Sequence, residues 1–201
     1  MPYDFLVDTY ETERIKVISV WSEFLDDDLP VRPRTGDPRG RSVHEQMVHQ
    51  CVSEDLWFRG MLGIDVDAPP LPQQETRLEF IRRYAEDSGK RLAALREKRD
   101  PWWEEETLFF EVRRSRAWVM VRRIAHTSHH RGQLMAMLRM LGHDVHSNYG
   151  PTADTGGLHH APTIYAYPSL DALFKGEAAG GAKAALPGAT GKPLTERPAS
   201  G

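Results

Sequence analysis

Two histidines stand four residues apart in the string His126-Thr127-Ser128-His129-His130-Arg131-Gly132-Gln133. On a helix this spacing puts both imidazoles on one face, a turn apart, where two ring nitrogens can converge on one metal ion at ~2.0–2.1 Å. His129 lies about 100° round the helix from His130 and leaves that face. A third histidine, His49, belongs to a separate helical segment and shares its expected face with Val52 and Leu56, so it looks into the interior. Each inward histidine would otherwise need a buried partner of its own. Three of them from two helices therefore point to one shared ion.

Spacing rejects two well-known helix-borne sites. Zinc proteases of the His-Glu-x-x-His type need a glutamate where this chain has Thr127. Di-iron bundles need Glu-x-x-His on two helices, and no glutamate stands three residues before any histidine here. Three neutral imidazoles leave coordination positions for water, a substrate oxygen or a thiolate. An ion so held polarises a carbonyl, or lowers the pKa of the water or thiol it binds. Arg122, one turn before His126, and Gln133, about one turn after His130, could hold an anionic or polar substrate or simply lie at the surface. Glu54, a turn and a half after His49, could orient an imidazole through its far nitrogen or be solvated. A closed structural site would need a fourth ligand, and His44, His129, His159 and His160 are the candidates.

Four amphipathic helices must position these groups. The first is expected over residues 3–25, with Tyr3, Leu6, Tyr10, Val17, Val20 and Phe24 as its stripe and Glu13 as a boundary residue on it. Ser42-Val43-His44-Glu45 is a capping box. It opens a helix to about Gly60–Gly63 with Met47, Val48, Val52, Leu56 and Phe58 inside. The third runs over about 74–98 on Leu78, Ile81, Tyr84, Leu92 and Leu95. The fourth spans about 113–141 on Trp118, Val121, Ala125, Met135 and Leu138, with Gly142 as its stop. Between them, residues 30–41 form a loop carrying four arginines, and Asp100-Pro101 starts a segment made sticky by Trp102, Trp103, Phe109 and Phe110. No strand pattern stands out. The fold class is all-α, a helical bundle over residues 1–147. An irregular extension over 148–175 packs on it, with a short helix near Leu170–Phe174. Of the 26 residues from Gly176 to Gly201, 16 are Gly, Ala or Pro, the composition of a flexible tail.

Composition narrows the function. The 201 residues are 40% hydrophobic and 27% charged, which is ordinary for a globular domain. A net charge of −3 argues against a duplex nucleic-acid binder held by many phosphate contacts. No apolar run is long enough to span a membrane. Met1-Pro2-Tyr3-Asp4 lacks the basic and apolar regions of an export signal, so the expected location is the cytoplasm. Cys51 is the single cysteine, which excludes an intramolecular disulfide and a four-cysteine zinc site.

His49 on the second helix, followed by His126-x-x-x-His130-Arg131-Gly132-Gln133 on the fourth, resembles the DinB/YfiT-like family of metalloenzymes. Glu54, the closing Leu138-Arg139-x-Leu141-Gly142, and the run Asn148-Tyr149-Gly150-Pro151-Thr152-Ala153-Asp154-Thr155-Gly156-Gly157 add to the resemblance, which covers about residues 1–160. It implies a four-helix bundle with a crossover connection, usually a homodimer, binding one divalent ion, zinc or nickel, through His49, His126 and His130. It also implies a low-molecular-weight thiol as co-substrate, in a transferase or isomerase reaction. The residues alone leave two alternatives: a hydrolase using metal-bound water, and a non-catalytic, stress-associated metal-binding protein. The aromatic connection from Trp102 to Phe110 and the C-terminal extension depart from the simplest members.

Overall fold

The structure is a computed structural model that describes residues 2–150, 152–155, 166–167, 169–180, 183 and 186. Four long helices build a bundle: α1 (Asp4–Glu23), α2 (Val43–Gly60), α3 (Arg77–Arg96) and α5 (Arg116–Met140). Between α3 and α5 come the short helix α4 (Asp100–Glu104) and a two-stranded hairpin, β1 (Glu106–Phe109) with β2 (Val112–Ser115). A further helix, α6 (Leu170–Ala178), follows the bundle. The helix α1 packs against α3 and α5, and α2 packs against the same two, so each lies in the groove between its neighbours. No helix of the described residues is long and apolar enough to cross a membrane.

Local chemistry sets the helix ends. The Ser42 hydroxyl accepts the Glu45 amide at 3.1 Å while Glu45 accepts the Ser42 amide at 2.9 Å, closing the expected capping box of α2. The Thr76 and Ser115 hydroxyls cap α3 and α5 by accepting the Glu79 and Trp118 amides, each at 3.3 Å. Gly142, at φ +80°, supplies the left-handed residue that stops α5. The bundle interior divides into two apolar clusters. One centres on Trp21, Phe24, Met47, Phe80 and Leu138, and the other on Tyr10, Phe58, Leu95, Trp103 and Met120.

Several expectations need correction. The connection after α4 is partly a hairpin, paired from Glu106↔Ser115 to Phe109↔Val112. Its turn places Phe110 at φ +54°, without the Asn or Gly that ordinarily marks such a position. On α2, Val52 and Leu56 are exposed, Leu56 by 51%, and on α5 Trp118, Val121 and Ala125 are exposed. Gln50, Glu54, Arg123 and Thr127 take the buried positions instead. Polar residues are buried here because they satisfy one another, which an apolar stripe cannot reveal. Glu13, expected at a boundary, is buried and ion-paired with Arg131, with the Ser128 hydroxyl donating to it at 2.9 Å.

The helix α6 continues through Gly176–Ala178, residues assigned from composition to the tail. Glu177 pairs with the buried Arg77 and accepts the Tyr167 hydroxyl at 2.5 Å. Gly176 is required there, since a Cβ would meet the Tyr167 ring at 2.6 Å. Beyond Gly180 only Lys183 and Leu186 belong to the described residues, so the remaining tail assignment falls outside them.

The chain after α5 is tied to the end of α1 by Glu23, which is buried. Its carboxylate accepts Asn148 Nδ2 at 2.5 Å and the His146 amide at 3.3 Å. Burial outweighs these bonds and pushes the carboxyl up to about 7. The folded value thus exceeds the unfolded value of about 4.3. Its contribution to stability is complete below that lower value and is lost as pH rises through about 7. Between about pH 5 and 8 the urea midpoint of the wild type should fall relative to that of Glu23→Gln. Parallel midpoints would show that Glu23 ionises as freely in the fold as in the unfolded chain.

Candidate metal centre

The three histidines meet between α2 and α5. His49 Nε2 lies 3.1 Å from His130 Nε2 and 3.3 Å from His126 Nε2, and the last two are 3.3 Å apart. The three nitrogens form a nearly equilateral triangle. Bonds of ~2.0–2.1 Å at tetrahedral angles would set such edges at about 3.3–3.4 Å, and octahedral angles at about 2.9 Å. The observed edges lie between these limits and nearer the tetrahedral one, so the residues fit a small divalent ion. Among the described residues, these three are also the group whose ligand atoms could hold an ion together.

Hydrogen bonding prepares one ring directly. His130 Nδ1 donates to Gln133 Oε1 at 2.9 Å, which assigns the proton to Nδ1 and leaves a lone pair on Nε2. Gln133 Oε1 is itself fixed by Gln46 Nε2 at 3.0 Å. Burial, the charge of Arg123 and the neighbouring imidazoles depress His126 to about 3. Burial and His49 depress His130 to about 4, and burial with Arg41 and Arg123 lowers His49. The rings are neutral at pH 7. Three ring nitrogens converge here with no carboxylate or thiol among their group in the described residues, so a metal cation is a group that suits the site.

The other expected participants are distributed differently. Gln133 reaches the cluster through His130, as described. Arg122 is exposed and points away; the adjacent Arg123, about 100° round the helix, is fully buried. Arg123 donates to Gln50 Oε1 at 2.8 Å, to Ser53 Oγ at 3.0 Å and to Thr127 Oγ1 at 3.0 Å. Its guanidinium also lies 5.5 Å from the centre of the Trp57 ring, which in turn packs 5.4 Å from the His126 ring. Glu54 neither orients His49 nor meets solvent. It is fully buried and accepts Tyr10 Oη at 2.7 Å, Tyr84 Oη at 3.2 Å and Arg91 Nη1 at 3.5 Å, with Arg123 Nη2 at 3.6 Å. His44 is engaged with Glu75 at 2.5 Å, and His129 is exposed and bonded to Gln133 Nε2 at 3.2 Å. Neither joins the triangle, and His159 and His160 lie outside the described residues. Trp57 and Arg123 were missed because neither carries a motif; the Phe109 ring, 5.1 Å from Trp57, ties the hairpin to the same wall.

The sequence model of the DinB family matches residues 7–156, three quarters of the chain and all of the bundle but the start of α1. The chain belongs to the DinB family. Two solved DinB-like proteins share the fold. One, from Bacillus cereus, superposes with a TM-score of 0.62 at 17% identity, covering 70% of this chain and 93% of its own. Another, from Bacillus subtilis, gives 0.56 at 16% identity, covering 69% and 92%. Comparison with curated proteins finds no match. In this DinB chain the matched segment contains all three histidines and Gln133, together with the loop that Glu23 anchors.

Proposed function

We propose that His49, His126 and His130 hold one divalent ion, zinc or nickel, and that the protein is a metal-dependent, thiol-dependent S-transferase, which joins a low-molecular-weight thiol, deprotonated to its thiolate, to an electrophilic co-substrate. The Nε2 triangle with edges of 3.1–3.3 Å carries this reading. No fourth His, Cys, Asp or Glu atom joins the group among the described residues, which suits an open catalytic site better than a closed structural one. The ion would supply Lewis acidity, bringing a bound thiol to its thiolate near neutral pH. The chain's own residues prepare for it. Gln133, braced by Gln46, fixes the His130 ring and raises its basicity as a ligand. Trp57 covers one side of His126 and excludes water there.

Cobalt(II) substitution tests the chemistry. Added thiol should produce a sulfur-to-metal charge-transfer band that strengthens as pH rises toward the thiol's pKa, because the thiolate is the ligand. A cobalt spectrum indifferent to millimolar thiol would refute the transferase reading and favour hydrolysis by metal-bound water.

A further inference from the structure

Five arginines are buried among the described residues, and four of them face a carboxylate. Arg77 pairs with Glu177, Arg91 and Arg123 with Glu54, and Arg131 with Glu13. The fifth, Arg14 on α1, is only 9% exposed and has no carboxylate partner among the described residues. Its Nε donates to Ser88 Oγ at 2.8 Å and its Nη2 to the Ala85 carbonyl at 2.7 Å, both on α3. Both acceptors are neutral. A buried guanidinium held this way has a desolvation cost that no opposite charge offsets. Nε and one N–H of Nη2 are used. One N–H on each of Nη1 and Nη2 is left pointing end-on, the fork that receives both oxygens of a carboxylate.

Arg14 lines a pocket of about 180 Å³ between α1 and the segment leading into α6. Ile15 and Ile18 line it from α1, and Tyr167, Leu170 and Leu173 from the opposite side. The two walls are fixed to the bundle. Ser19 Oγ accepts the Ala166 amide at 3.1 Å, and Tyr167 is bonded to Glu177, the partner of Arg77. No residue of α2 or α5 lines the pocket, so it is separate from the histidine cluster. An apolar cavity of ~150 Å³ admits one benzene ring, which sets the size of a guest here. A long acyl chain would exceed the space, and an inorganic anion would leave the isoleucine and leucine walls unmatched.

We propose that this pocket is a binding site for a small monocarboxylate with a compact apolar body, of the size of benzoate. Arg14 receives the carboxylate, and Ile15, Ile18, Leu170 and Leu173 enclose the body. The site does not rest on the metal-centre reading.

The test titrates benzoate and its uncharged isostere, benzamide, into the full chain by calorimetry, up to millimolar ligand. The wild type should prefer benzoate by about 10–100-fold, the span that hydrogen bonds to a charged group supply. Arg14→Gln should bring the two ligands to equal affinity. Ile15→Phe, which fills the pocket and keeps the guanidinium, should remove binding of both. His126→Ala should bind benzoate as the wild type does, which separates this pocket from a carboxylate held on a metal ion. Circular dichroism checks the fold of each variant. In the wild type, nuclear Overhauser contacts from the benzoate ring should reach the Ile15 and Ile18 methyl groups, a readout that needs no variant. No binding of benzoate, equal affinities in the wild type, a preference that survives Arg14→Gln, or benzoate contacts on the histidine rings instead would each overturn the proposal.

Discussion

Replacing His49, His126 or His130 singly with alanine should strip the protein of its divalent ion, while His129→Ala should leave metal content near wild type. The triangle explains the severity. Each imidazole supplies one corner of a triangle with edges of 3.1–3.3 Å, and two nitrogens do not compete with buffer for a divalent ion. His129 sits outside the triangle, bonded to Gln133 and with its ring edge-on to that of His130 at 5.0 Å between centres, and offers it no ligand atom. Gln133→Ala should fall between these cases, lowering affinity by about 10–100-fold, because it releases the His130 ring without removing a donor. Elemental analysis after gel filtration reads the content. Thermal unfolding with and without added metal reads the affinity, since a ligand bound only to the folded state raises its stability by mass action. Far-ultraviolet circular dichroism establishes that each metal-free variant keeps its helices. Equal loss from all four histidine variants would show that the triangle is not the ligand set.

The cluster could be read from the sequence because helical spacing fixes which side chains share a face, and His126 and His130 need nothing else to converge. The capping box of α2 was equally visible, being a local exchange between Ser42 and Glu45. What stayed hidden depends on contacts between distant segments. Arg122 and Arg123 differ by one position and about 100° of rotation. Only the bundle decides that Arg123 turns inward, toward Gln50 and Ser53 more than 60 residues earlier in the chain. The same effect misplaced the stripes of α2 and α5. Counting polar residues as exposed put Val52, Leu56, Trp118 and Val121 inside, whereas the polar residues bury themselves by pairing across helices. The hairpin was hidden because each strand has four residues and its turn is made by a phenylalanine. The continuation of α6 depends on Arg77, about a hundred residues upstream, as the partner of Glu177.

Glu54→Ala should be among the most destabilising single substitutions in the molecule, although Glu54 touches no histidine. One buried carboxylate joins all four long helices. Tyr10 donates to it from α1, Tyr84 and Arg91 from α3, and Arg123 approaches it from α5. Arg91 is also shared with Asp55, at 3.3 Å, so two guanidinium groups face two carboxylates in a dry interior. Removing Glu54 leaves a buried positive charge in excess and two phenol hydroxyls without their acceptor. Breaking a buried pair in this way costs about 3–5 kcal/mol, because the partner's desolvation is no longer offset. At ~2–4 °C per kcal/mol for a domain of this size, the melting temperature should drop by about 6–20 °C. Glu54→Gln keeps an acceptor for Tyr10 but loses the charge, so it should fold and fall by less. That variant also reads the link to the site. Arg123 holds Gln50 and Thr127 and lies against Trp57, the ring packed on His126. Metal affinity in folded Glu54→Gln should therefore weaken, with its three histidines untouched. A loss below about 1 kcal/mol for Glu54→Ala, the range of an exposed ion pair, would mean that water reaches this cluster and that the helices do not depend on it.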